Sequence, residues 1–240
     1  MDMLSPAPPA GPLESECTGM LKHRFTWALF WVAVLFSSGG LHSARAQSES
    51  GRRLSVEFEI MLGNVRWMLA PTTGPLERKG LHARLDSALL GYLGITARRY
   101  LDERGITNTG LLRQVHMLQV EFKAGDFTAL ATRLQDLAKA YPIDLRGILP
   151  LTVTPERLRV GRKLYRKSCW SCHASPGYGR EYPAPDLFRT ARTEPRREFA
   201  ARLIGGIYGN FYTSMENPFS DEQIASLFAY FVHDKPPDTK

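Results

Sequence analysis

Apolar positions between Leu54 and Leu69 fall into two periods at once. Leu54, Val56, Phe58 and Ile60 alternate as in a half-buried strand, whereas Phe58, Leu62, Val65 and Leu69 recur as on one face of a helix. We expect helix. Pro71 to Pro75 breaks the pattern, and Leu81, Leu85, Ala88, Leu89 and Tyr92 then predict an amphipathic helix closed by Gly105. Leu111, Val115, Leu118 and Phe122 predict another, ended by Gly125, and Asp126 caps a fourth with Phe127, Leu130, Leu134 and Leu137. The turns between them are short, which implies antiparallel neighbours. Beyond Ile143 to Leu151, read as a linker, Thr154-Pro155-Glu156 supplies an N-cap hydroxyl, a first-turn proline and a first-turn carboxylate. Ser220 and Gln223 form a capping box for a last helix, with Ile224, Leu227, Phe228 and Phe231 as its stripe. The expected class is all-α, with a helical bundle over 47–150 and a second helical domain over 151–240.

The chemistry concentrates in Cys169-Trp170-Ser171-Cys172-His173, the C-x-x-C-H pattern of a c-type haem attachment. Residues three apart share a helix face, so both thiols can reach the two vinyl groups of one porphyrin while the adjacent imidazole meets the iron. Three other readings compete. A dithiol redox pair is expected beside a βαβ pattern, which this chain lacks, and a zinc site takes about four ligands although no cysteine follows Cys172. A structural disulfide between Cys169 and Cys172 stays open at this stage.

The flanks of the pentapeptide resemble the class I c-type cytochrome family, from Thr152 to His233. Gly161 and Tyr165 stand where that family has a glycine and an aromatic residue in its first helix, and Ala229-Tyr230-Phe231 resembles its aromatic ending. The resemblance implies that Gly161 lets the last helix cross closely. Gly177, Gly179 and Pro183-Ala184-Pro185-Asp186-Leu187 look like the loop behind the haem, so the carbonyl of Pro183 or Pro185 is expected to accept the Nδ1 proton of His173. Met215, in Tyr212-Thr213-Ser214-Met215-Glu216-Asn217-Pro218, stands where the family places its axial methionine, although Pro218 comes three positions later rather than next. The resemblance implies one covalent haem c on Cys169, Cys172 and His173, with His173 and Met215 as the iron ligands. The Gly- and aromatic-rich stretch from Gly205 to Tyr212 offers the alternative of an open distal pocket.

Composition adds the setting. The 240 residues are 43% hydrophobic and 23% charged, a globular balance with room for one or two domains. Near the start, Lys22-His23-Arg24, an apolar run from Phe25 to Phe36 and Ala44-Arg45-Ala46 succeed one another in the order of a secretory leader, cut after Ala46. The run is shorter than the roughly 20 residues a membrane span needs. Met20 is an alternative start, and Cys17 would leave with the leader. Residues 1–46 carry three basic and three acidic side chains, so a chain cut there keeps the net charge of +7. That favours acidic partner surfaces. The basic residues are scattered, without an aromatic-interleaved platform or helix-turn-helix cue, which argues against nucleic acid. Six of them, Arg157, Arg159, Arg162, Lys163, Arg166 and Lys167, crowd into eleven residues before the motif, as a solvated face or a docking face.

Other residues receive bland readings. His82, His116 and His233 are expected at the surface or in caps, Met61, Met68 and Met117 in a core, and Trp67 in a core rather than as an interface anchor. Gln114 to Pro142 resembles one tetratricopeptide unit, departing from it at Leu130, but a solenoid needs about three repeats and no second copy is visible. The functional expectation is a periplasmic monohaem cytochrome with no catalytic residues. It would carry single electrons between periplasmic or membrane-bound partners and meet the membrane only through them. The alternatives are a haem enzyme or sensor with an open sixth position for peroxide or a gas, and a protein that recruits a redox partner through its helical bundle.

Overall fold

The computed structural model describes residues 47–174, 184–206 and 217–235, and these form helices joined by turns, with no strand among the described residues. Helix α1, Glu49–Leu69, starts where the Ser48 hydroxyl accepts from Gly51 N at 3.2 Å. Its doubled periodicity has a physical cause: it is buried on two sides. Leu54, Phe58, Met61 and Val65 enter one core, and Val56 enters another with Ile60 packed beside it. Residues that alternate along the chain therefore face opposite partners while the backbone stays helical.

The first core gathers the next helices of the chain. α2, Pro75–Asp86, runs through a π-helical segment, Ser87–Tyr92, into α3, Leu93–Glu103, and Gly105 ends the rod at φ +62°. α4, Gly110–Lys123, turns at Gly125, whose φ is +72°, into α5, Phe127–Ala140, capped by Asp126 Oδ1 accepting from Ala129 N at 2.9 Å. Leu85, Leu89, Leu93, Leu118, Leu130 and Leu134 are completely buried here. Met61 is buried and Met68 half-buried against this core, but Met117 is 39% exposed. The inward stripe of α4 is Leu111, Val115, Leu118 and Phe122, and Met117 lies about 100° away from Leu118 around the helix, which turns it outward.

The second core is built from α6, Pro155–Ser168, α7, Trp170–His173, α8, Leu187–Thr193, α9, Arg196–Gly205, and α10, Asp221–His233. Thr154 caps α6, and Ser220 with Gln223 makes the expected capping box on α10. α6 crosses α10 at Gly161, where a Cβ would lie 2.2 Å from Ser226 O and 2.7 Å from Tyr230 Cβ. Ile143 and Ile148, from the stretch read as a linker, are buried in this core.

The two cores share α1, which packs along α9. A Cβ on Gly205 would meet Val56 Cγ1 at 2.6 Å, and one on Gly63 would overlap the Glu198 carboxylate, so both helices approach through glycine. Around this contact the Arg202 guanidinium donates to Glu194, Glu198 and Asn64, each at 2.9 Å, and Arg66 pairs with Glu198. Trp67 is half-buried, and its Nε1 donates to Glu194 Oε1 at 2.9 Å. It joins α1 to the turn between α8 and α9, a different role from the core position expected of it. No helix among the described residues is long and apolar enough to cross a membrane.

Two glycine replacements should have opposite outcomes. Gly161→Ala, despite the helix propensity it adds, should destabilise by about 1–3 kcal/mol because the new methyl meets backbone across the crossing. Gly94→Ala in α3, with open space around its Cβ, should instead stabilise by about 0.5–1 kcal/mol. Urea denaturation of both variants checks the pair. Glu198→Ala leaves Arg202 without one partner in a setting where Glu198 is 3% exposed, and should cost about 3 kcal/mol. Because α1 serves both cores, we expect one unfolding transition by far-UV circular dichroism, shifted as a whole.

Candidate functional site

The pentapeptide continues α6 almost without a break. Cys169 N donates to Tyr165 O at 2.9 Å, and Cys172 N and His173 N both donate to Cys169 O, at 3.2 and 3.0 Å. The two thiols thus sit within one helical turn. Cys169 is half-buried against the second core, Trp170 meets the Tyr165 ring edge-on at 5.8 Å, and Cys172 is exposed.

His173 Nδ1 lies 2.8 Å from Pro185 O. A carbonyl can only accept, so Nδ1 carries the proton, and in the neutral ring the Nε2 lone pair is left for a metal. Of the two prolines that the resemblance offered, Pro185 makes the contact. Its carbonyl is held by the residues just after it: Asp186 Oδ1 accepts from Phe188 N at 2.9 Å and Arg189 N at 3.1 Å, starting α8. Phe188 in turn packs between Tyr165, Tyr230 and Phe231, with ring centroids 5.1–5.4 Å apart. Both the imidazole and its acceptor are therefore anchored in the same aromatic cluster.

The electrostatics separate the rival readings. Burial pushes the Cys169 thiol up to about 11, with Cys172 adding to the shift, and burial with Tyr230 pushes the Tyr165 phenol up to about 12. A redox-active or metal-binding cysteine needs its thiolate favoured, and here it is disfavoured. A thioether carries no charge, so it suits this apolar seat. Both cysteines carry thiols rather than a disulfide, and no group of three or more His, Cys, Asp or Glu side chains gathers for a metal ion among the described residues. The donor set, two thiols in one turn, one of them buried and held protonated, beside an imidazole with an oriented Nδ1–H, fits haem c better than zinc or a dithiol couple.

Several expectations fall elsewhere. Met215, Gly177, Gly179 and Pro183 lie outside the described residues, as do residues 1–46 with their leader pattern. His82, His116 and His233 are exposed, and His82 rests on the Phe122 ring at 4.7 Å. One residue with a role was not singled out in the sequence. Asn217 Nδ2 donates to Leu203 O and Ile204 O, each at 2.8 Å, and its Oδ1 accepts from Phe219 N at 2.9 Å, tying the lead into α10 to the end of α9. The only local signal was the Asn-Pro pair just before the Ser220 cap. The basic run is partly neutralised within the fold: Arg157 pairs with Glu222, Arg159 with Glu156 and Arg162 with Asp234, each through short guanidinium–carboxylate contacts.

The family model described as Cytochrome C oxidase, cbb3-type, subunit III matches residues 156–231. That span opens at the start of α6 and closes within α10, so it encloses the motif, Pro185 and the aromatic cluster. Comparisons with curated proteins and with solved structures found no match. With its helix order, its C-x-x-C-H turn and its oriented histidine, the C-terminal region of this all-α chain is a class I c-type cytochrome domain, the kind that carries haem c.

Proposed function

We propose that the protein is an exported monohaem c-type cytochrome that passes single electrons between protein partners. The observation that carries the proposal is the hydrogen bond from His173 Nδ1 to Pro185 O at 2.8 Å, beside two thiols in one helical turn. Cys169 and Cys172 would hold the haem through two thioethers, and His173 Nε2 and Met215 would be its iron ligands. Bound haem supplies a reversible one-electron couple. The chain does the rest: the Pro185 carbonyl keeps the imidazole in one tautomer and one orientation, which raises its basicity as a ligand. The Tyr165, Phe188, Tyr230 and Phe231 cluster keeps water from the side of the motif that faces the core. A thioether ligand favours ferrous iron and raises the potential, in keeping with an electron carrier.

Export is supported by where the fold takes hold. Gln47, the first residue after the proposed cut, donates through Nε2 to Ser55 Oγ at 2.7 Å and Gly51 O at 3.1 Å, so the new terminus is already part of the structure. Domains of this cytochrome type work outside the cytoplasm.

Protein from cells competent for cytochrome c assembly should begin at Gln47 and carry the mass of one covalent haem, with a pyridine haemochrome spectrum of two thioethers. Cys172→Ala should shift that spectrum to a single thioether, and a mature protein without covalent haem would sink the proposal. Met215→Ala should abolish the near-infrared sulfur-to-iron band of the ferric protein and lower the potential by on the order of 0.2 V, within the span that axial ligands command. A high-spin ferric spectrum in the unmodified protein at neutral pH would instead favour an enzyme or sensor with an open sixth position. Asn217→Ala removes two bonds to the end of α9 and should cost about 1–3 kcal/mol. If Asn217 supports the Met215 ligation, thermal melting should bleach the near-infrared band of this variant before the helices unfold, and coincident transitions would leave it a merely structural residue.

A further inference from the structure

Pro185 is itself exposed, and as a proline it has no N–H with which to anchor the turn. Packing on its own ring therefore does not aim its carbonyl at His173. The Pro185 carbonyl and the Asp186 N–H belong to one planar peptide unit, so the direction of the carbonyl follows from how that plane is turned about the Asp186 N–Cα bond. Asp186 is fixed through both of its acceptor groups. Its carboxylate accepts through Oδ1 from Phe188 N at 2.9 Å and Arg189 N at 3.1 Å, and its backbone carbonyl accepts from Thr190 N at 2.9 Å and Thr190 Oγ1 at 2.7 Å. The residue stands at φ −71° and ψ 104°, the extended backbone of an N-cap, and the Phe188 and Thr190 that it holds are both buried. By contrast, the contact of His173 Nδ1 with Pro185 O at 2.8 Å lies at the surface, where water competes for the Nδ1 proton. A carbonyl that swung away would leave that proton to solvent.

We infer that Asp186 is the positioning residue for the histidine ligand: its cap aims the Pro185 carbonyl at His173 Nδ1 and thereby tunes how strongly the imidazole binds iron. The inference rests on the haem-carrier reading proposed above. An imidazole whose Nδ1–H is held by a good acceptor is the more basic ligand and favours ferric iron, so loosening that acceptor raises the potential. Thr190 shares the task, because its hydroxyl and its N–H both end on the Asp186 carbonyl. The chain thus carries the restraint from the buried start of α8, through one residue and one peptide plane, to a hydrogen bond at the surface.

The test uses the full-length holoprotein. Asp186→Ala removes the cap, whereas Asp186→Asn keeps a cap and removes only the charge. Asp126→Ala deletes the corresponding cap of α5, which belongs to the other core, and is the control for lost helix stability. Two quantities are read besides the melting temperature: the reduction potential, and the solvent-exchange rate of the His173 Nδ1 proton in the ferrous protein by nitrogen-edited NMR. Asp186→Ala should speed that exchange on the order of tenfold, as the loss of about one hydrogen bond of restraint implies, and should raise the potential further than Asp186→Asn does. Asp186→Asn should exchange within about twofold of the unmodified protein, so that its shift in potential measures the charge alone. Asp126→Ala should lower the melting temperature and move neither quantity. Thr190→Val deletes the hydroxyl bond to the Asp186 carbonyl and should speed the exchange about threefold, which keeps the test decisive if Asp186→Ala does not assemble. Equal potentials and exchange rates in Asp186→Ala and Asp186→Asn would mean that Asp186 acts through its charge. A lower melting temperature with both quantities unchanged would make it a helix cap and no more. Either result overturns the positioning role while the haemochrome spectrum and the Nδ1 resonance still stand for the carrier with His173 as ligand. A protein without covalent haem overturns the carrier reading itself, before these variants are compared.

Discussion

The crossing of α6 over α10 sets the position of everything at the motif. Gly161, Tyr165, Cys169 and His173 are spaced four apart, so one inclined ridge of α6 and α7 carries the close contact, the core aromatic, the first thiol and the imidazole. At Gly161 the absence of a Cβ lets the helix settle against the Ser226 backbone. One turn on, Tyr165 packs tilted against Tyr230 and edge-on against Phe231 of the same partner helix, and the next turn begins at Cys169. A shift of α6 along α10 would displace the thiol and the histidine together. α8 answers from the other side, because Phe188 wedges into the same rings and holds Pro185 where the Nδ1 proton of His173 can reach it.

The N-terminal helices are joined to this arrangement by α1. Most helices of a small bundle bury one stripe, but α1 buries two, and its polar positions are used as well. Asn64, Arg66 and Trp67 meet Glu194, Glu198 and Arg202 in a network whose carboxylates are almost completely buried. Such a network contributes little net stability when whole and is costly when broken, because each buried charge relies on its partner. It acts more as a registration device: Arg202, held by Glu194 and Glu198 of its own segment, reaches Asn64 while Trp67 and Arg66 reach the same two carboxylates only at one position of α9 along α1. The two close glycine contacts, at Gly63 and Gly205, add a steric condition to the same position.

Charge is divided unevenly between the two sides of α6. Acidic side chains pair with Arg202, Arg157 and Arg162, while Lys163, Arg166 and Lys167 on the outer side of α6 form no ion pair among the described residues. Inside, the groups next to the motif are kept neutral, with the Cys169 thiol and the Tyr165 phenol both held protonated by burial. The result is an apolar seat for a cofactor on one side of α6 and a cationic face on the other.

Local information in the chain was enough for α2 to α6 and α10, but not for α8 and α9, which the sequence did not announce. Caps at Thr154, Asp126 and Ser220, glycine stops at Gly105 and Gly125, and single apolar stripes in α4, α5 and α10 are each read within a few residues, and each depends on contacts of similar range. The same holds for the spacing of Cys169, Cys172 and His173, which puts all three within one helical turn. α1 was ambiguous for a reason that lies outside its own sequence: a helix wedged between two cores shows apolar residues on both sides, and no local period distinguishes that from a strand. Met117 and Trp67 were misplaced because an apolar residue beside a stripe is assigned by a rotation of about 100°, which only the packed neighbours decide. Pro185 was one of two equivalent carbonyls until α8 fixed its place. Asn217 was marked only by its Asn-Pro pair, and the contacts of Glu194, Glu198 and Arg202 with Trp67, Arg66 and Asn64 have no local signature, because those partners lie on α1, far away in the chain, and the pairing exists only once α1 and α9 have met.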